Sequence, residues 1–165
     1  MSDLREKLLK LTLLRYQRMP ELGQRLHSND GHLAAILQCH LFVESLLEEL
    51  IRLCLGSNAD AVLSARLSFD QKLTIAAKLK LEKDLPLLQD YVVGSIRKFN
   101  SLRNKLAHRY GQEVSSDDVR ELFVGCEQDL PYQDVLEHGI SIGIKRYAAF
   151  IFGNMLPKYE STAET

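Results

Sequence analysis

Apolar positions recur at three- and four-residue steps in nearly every segment of the chain, a spacing that predicts helices. From Ser2, a cap with Asp3 and Glu6 in the first turn, Leu4, Leu8, Leu11 and Leu14 or Arg15 fall on one side of a helix. Leu9 and Leu13 widen its apolar face. Pro20 is expected to interrupt this helix and leave a second short piece through Leu22 and Leu26. Ser28-Asn29-Asp30-Gly31 reads as a turn. The stretch from Gly31 to Leu55 is apolar most of the way round, from Leu33 and Ile36 to Leu50 and Cys54. Such a helix is central, covered by several neighbours or by a second subunit.

Gly56 ends the central helix, and Ala59 to Leu67 suggests a short one. Ser68 and Gln71 have the spacing of a capping box, which opens a helix running to about Leu81. A charged connection follows, and Pro86 is placed in the first turn of a long amphipathic helix. Leu88, Tyr91, Val92, Ile96, Phe99, Leu102 and Leu106 carry that helix to Gly111. Ser116-Asp117-Asp118 opens a further helix with Val119, Leu122, Phe123 and Cys126 inward, broken at Leu130-Pro131. A last helix is expected over 133–155, weakened by Gly139 and Gly143. The tail from Pro157 is expected to fray. No strand period and no repeat emerges, so the expected fold is all-α: one domain over 1–165, a helical bundle around a long central helix pair.

Composition adds limits. At 165 residues the chain can bury a core without disulfides or metal, and 45% hydrophobic with 26% charged residues is ordinary for a soluble domain. Cys39, Cys54 and Cys126 are odd in number and match no zinc spacing. They read as reduced thiols, which together with the charge-interrupted N-terminus points to the cytoplasm. No uncharged apolar stretch reaches membrane-spanning length, so no membrane is expected. No metal or other cofactor is expected either.

Charge singles out one segment. The net charge is -1, yet from Tyr91 through Gln112 there is no acidic residue, and Arg97, Lys98, Arg103, Lys105 and Arg109 all fall there. Cations in the last turns of a helix complement its dipole without any ligand. The same cluster also suits a polyanion such as RNA. The window includes Arg103, Asn104, His108 and Tyr110. As residue types they suit metal-free RNA cleavage: an imidazole titrates near neutrality and can take a proton from a ribose 2′-OH. A guanidinium fork can steady charge on phosphate oxygens, and an amide can fix either partner. On a helix, however, Arg103 and His108 lie about 140° apart, whereas Asn104 and His108 share a face. One copy makes a loose site, and two copies about a two-fold axis could bring both arginines and both histidines to one cleft.

The run Arg103-Asn104-x-x-x-His108-x-Tyr110 resembles the Arg-x4-His-x-Tyr signature of HEPN-domain RNases, including toxins paired with small nucleotidyltransferase antitoxins. The resemblance implies a homodimer with a composite, metal-independent site for RNA. Arg103 and His108 would be catalytic, and Asn104 and Tyr110 supporting. For the toxin group it also implies that Tyr110 receives a nucleotide from the antitoxin. Arg97, Lys98, Lys105 and Arg109 are the expected RNA-binding cations. The run Phe69-Asp70-Gln71-Lys72-Leu73, then Leu79, then Ile96 to His108, is also similar to the mannitol operon repressor family. That resemblance implies a regulator on an all-α fold rather than a nuclease.

Other polar residues carry less. Glu44 and Glu48 are one turn apart and read as a solvated edge, with the option that one of them orients Arg103. His32 and His40 read as packing residues on the central helix, with a His40–Glu44 hydrogen bond ahead of any metal site. His27 and His138 lie in or beside turns.

Overall fold

The computed structural model describes residues 2–27, 31–108, 113–125 and 138–156. The fold is an all-α helical bundle with one minute two-stranded sheet. In chain order the elements are α1 (Ser2–His27), α2 (His32–Leu55), a 3-10 turn (Gly56–Asn58), α3 (Ala59–Leu63), α4 (Phe69–Lys78), β1 (Lys80–Glu82), β2 (Leu85–Pro86), α5 (Asp90–His108), α6 (Ser116–Phe123) and α7 (Ile140–Met155).

The apolar helix expected in the middle of the molecule is there. α2 touches α1, α3, α4, α5 and α7, and Ile36, Leu46, Leu47, Leu50 and Ile51 are fully enclosed. Gly56 ends it at φ 54, a backbone region that favours glycine, with its N–H returning to the Arg52 carbonyl. The capping box at Ser68 forms in both directions: Ser68 N–H donates to Gln71 Oε1 at 2.8 Å, and Gln71 N–H to Ser68 Oγ at 3.3 Å. Packing of α5, α6 and α7 is fixed by two buried hydroxyls as well as by apolar contact. Ser95 donates to the Leu122 carbonyl at 2.8 Å, and Tyr147 donates to the Ser95 carbonyl at 3.1 Å.

Several boundaries differ from expectation. Pro20 does not divide α1, which runs on to His27. The ring lies on the exposed side, so only one backbone bond is lost there, while Leu11 and Leu22 stay buried on the other. Arginines complete the docking. Arg15 donates to the Leu156 carbonyl at the end of α7, Arg18 bonds Ser45 on α2, and both guanidinium groups lie over phenylalanine rings. Leu9 and Leu13 do not join the core; they are 63% and 57% exposed. α3 stops at Leu63, and Arg66 turns the chain at φ 52.

The charged connection holds a hairpin, with Lys80 opposite Pro86 and Glu82 opposite Leu85. Leu81 points inward between exposed Lys80 and Glu82, a period-two pattern too short to stand out in sequence. Pro86 therefore ends an edge strand, where its missing N–H costs nothing, and α5 begins at Asp90. Ser115, one residue earlier than expected, caps α6. That helix ends at Phe123, and α7 follows Gly139 at φ 89, while the expected helix start near residue 133 lies outside the described residues. The expected inward Cys126, the Leu130-Pro131 break, the 28–30 turn and the frayed tail from 157 lie outside the described residues.

Glu44 and Glu48 are not a bare solvated edge. Lys72 of α4 donates to both, at 2.7 and 2.5 Å, and its side chain is 11% exposed. Burial alone would lower the Lys72 pKa, but the two carboxylates outweigh it and hold the ammonium charged. Lys72→Met leaves two like charges facing each other and is expected to destabilise the fold by about 1–3 kcal/mol. The figure is below that for a sealed ion pair because both carboxylates reach solvent. A urea-denaturation midpoint equal to that of the parent would contradict this role.

Candidate functional site on the fifth helix

α5 is pinned along its length by Val92, Ile96, Phe99, Leu102 and Leu106, all buried. Its polar side chains are thus carried on a rigid element, and they divide between two faces. Arg97, Ser101 and Lys105 recur at four-residue steps along the first. This face opens on α6 as a groove of about 410 Å³, completed by Lys98, Leu102, Asp118, Glu121 and Leu122. The cations that the sequence gathers without acids meet acids in the fold. Lys105 pairs with Asp118 at 2.8 Å, and Lys98 lies 3.7 Å from Glu121 while donating to the Val124 carbonyl at 2.8 Å.

Asp118 is bound firmly. Burial pushes its pKa up, yet hydrogen bonds from Lys105 and from the Ser115 backbone and hydroxyl prevail and hold the carboxyl below its usual range. Glu121 has no such cap role, so its charge can be removed cleanly. If the groove takes RNA, as the sequence leads one to expect, Glu121→Gln tightens binding of a single strand about twofold at low salt, with the gain vanishing at high salt. A salt-titrated binding assay checks this, and unchanged affinity at low salt would show that the groove cations do not meet the strand.

The second face turns toward α2 and α4. Asn100 lies on it, one turn before Arg103, and is buried. Asn100 Nδ2 donates to Asp70 Oδ1 at 3.0 Å, which leaves Asn100 Oδ1 directed at His40 Nε2, 2.9 Å away. The amide oxygen can only accept, so His40 donates through Nε2–H. The imidazole is stacked on Phe69 at 4.2 Å between centroids and is 5% exposed. Burial lowers the His40 pKa, the bond to Asn100 opposes this, and the positive charge of Arg103 lowers it further. Arg103 is half-buried; its Nη1 donates to Asn104 Oδ1 at 3.0 Å. Its Nε is enclosed without a hydrogen-bond partner.

His108 is the last described residue of α5 and is exposed. A continuous helix joins it to Arg103, so the two remain on different sides, about 140° apart, and one copy does not bring them together. Asn104, half-buried, is the member that shares a face with His108. Arg109 and Tyr110 lie outside the described residues. Arg103 is not held by Glu44 or Glu48, whose hydrogen bonds come from Lys72, and His40 bonds Asn100 rather than Glu44.

The sequence pattern did not bring out Asp70, Asn100 and His40 as a group. One signal was present: Asn100 falls in phase with Val93 and Ile96, where a polar residue needs a buried partner. Cys39, next to His40, is no nucleophile, since burial pushes its thiol up to about 12. Among the described residues no three His, Cys, Asp or Glu side chains are placed to hold a metal ion, and no helix is long and apolar enough to cross a membrane. Comparison of the chain with models of known families, with curated proteins and with solved structures finds no match to any of them.

Proposed function

We propose that the chain is a metal-independent endoribonuclease of HEPN type that acts in the cytoplasm as a homodimer. The observation that supports this reading best is the state of Arg103. Its guanidinium is anchored on a core helix, makes no ion pair among the described residues, and sits a turn and a half from an exposed histidine. His108 takes the proton of a ribose 2′-OH, and the oxygen attacks the adjacent phosphorus. The bond to the 5′ oxygen breaks, leaving a 2′,3′-cyclic phosphate and a 5′-hydroxyl. The histidine of the second copy, or water, supplies the leaving proton. Arg103 stabilises the charge that builds on the phosphate oxygens, Asn104 orients it through the bond already made, and Tyr110 supports the pocket. Arg97, Lys98, Lys105 and Arg109 hold the flanking strand.

Within this reading the chain is the toxin of a toxin–antitoxin pair, silenced by a nucleotidyltransferase antitoxin that modifies Tyr110. Incubating RNA with the protein in EDTA, beside Arg103→Ala and His108→Ala, tests the activity; equal background cleavage by all three would end it.

A second reading has its own support. Lys98 and Lys105 already face Glu121 and Asp118, and Phe69, Asp70 and Lys72 are all engaged in holding α2 and α5. Residues of the mannitol operon repressor resemblance then serve the scaffold, and the chain is a regulatory module without chemistry. A folded protein that never cleaves RNA yet captures a defined partner would favour it.

A further inference from the structure

Resting on the ribonuclease reading, we infer that Arg97 is the far anchor of a single-strand track along the groove between α5 and α6, holding an RNA phosphate about two to three nucleotides from the one at which His108 acts. Arg97, Ser101 and His108 fall at i, i+4 and i+11 on α5, within about 40° of one another around the helix. All three are exposed. Arg97 and Ser101 line the groove, and His108 continues their row at the end of the helix. Each four-residue step rises about 6 Å, close to the separation of neighbouring phosphorus atoms along a single strand. From Arg97 to His108 the helix rises about 16 Å, which is between two and three such steps.

Charge and lining select the ligand. Lys105 and Lys98 of the groove are already held, the first by Asp118 at 2.8 Å and the second by Glu121 at 3.7 Å and the Val124 carbonyl at 2.8 Å. Arg97 makes no ion pair among the described residues, so it carries the positive charge that remains. The floor is apolar, formed by the buried Leu102 and Leu122. None of the described lining residues is aromatic, so bases find no stacking platform and the strand is held by its phosphates whatever its sequence. Packed helices stand about 8–10 Å apart, so the groove admits one strand and not a duplex.

The test uses 2′-O-methyl strands that carry a single ribonucleotide, so that one bond alone can be cut, with flanks of graded length on either side. In EDTA, kcat/KM of the parent should rise about tenfold once a flank exceeds about three nucleotides, and Arg97→Ala should lose most of that rise. Arg97→Lys, which keeps the charge, should keep it. A fully 2′-O-methylated strand cannot be cut and reads binding alone. Arg97→Ala should weaken its binding about fivefold at low salt and lower the slope of log affinity against log salt by about 0.7. A length dependence as steep in Arg97→Ala as in the parent, or an unchanged salt slope, would overturn the track and leave the ribonuclease reading in place. If the parent cuts no strand yet the slope falls in Arg97→Ala, Arg97 stands as an RNA anchor and the ribonuclease reading fails. A parent that neither cuts nor binds overturns both.

Discussion

In EDTA, His108→Ala is expected to cleave RNA at least about a hundredfold more slowly than the parent, and Arg103→Ala by a similar factor or more. The two losses have different origins. A positioned general base is worth roughly 10²- to 10⁴-fold, and His108 is the exposed imidazole at the end of α5. A preorganised cation at the developing charge is worth roughly 10²- to 10³-fold, and Arg103 is held by Asn104 and the buried helix face. Neither change should unfold the protein. His108 is exposed, and Arg103 makes no salt bridge among the described residues. Circular dichroism of both variants should match the parent. Asn104→Ala removes the amide that orients Arg103 and should fall between them and the parent. Cleavage products ending in 2′,3′-cyclic phosphate accompany this chemistry, and their absence from an active preparation would contradict it.

Phe99→Ala is expected to lower stability by about 3–5 kcal/mol, seen as a fall of roughly 10 °C in Tm. The ring is fully buried, 6.2 Å from His40 and 5.1 Å from Tyr147 between centroids. It fills the centre of the bundle where α2, α5 and α7 meet, and it backs the His40–Asn100 pair. Loss of the ring leaves a cavity that the surrounding helices cannot fully close. Ser101→Ala, two residues on but exposed in the groove, should leave Tm within about 1 °C. Calorimetry of the two variants separates the core of α5 from its ligand-facing side. A small loss for Phe99→Ala would mean that the helix is not pinned as described.

The bundle was legible because its helices bury wide apolar faces, and that periodicity survives without any knowledge of neighbours. Leu46, Leu50, Ile96 and Val119 read as core and are core. The caps at Gly56 and Ser68 were equally plain, since one needs a positive φ and the other a reciprocal hydrogen-bond pair. Pro20 misled because proline's cost depends on which side of the helix it faces, and sequence does not say. The hairpin at Lys80 to Pro86 was hidden by its length. Leu9 and Leu13 are apolar yet exposed, because arginines dock the other side of α1. The acids that meet Lys98 and Lys105 come from α6, far enough along the chain that the charge pattern of α5 carries no sign of them. The link from Asp70 to His40 spans three helices and leaves no local signature beyond one polar residue in a buried phase.

In the proposed enzyme α5 supplies half of a site, with Arg103 and His108 on different sides of one rigid helix. Mixing purified Arg103→Ala and His108→Ala proteins under conditions of subunit exchange tests it most directly. Each alone is expected to be inactive on RNA in EDTA. The mixture should regain activity, because a mixed dimer carries one intact arginine and one intact histidine in a shared cleft. A mixture as inactive as its components, beside an active parent, would contradict the composite site.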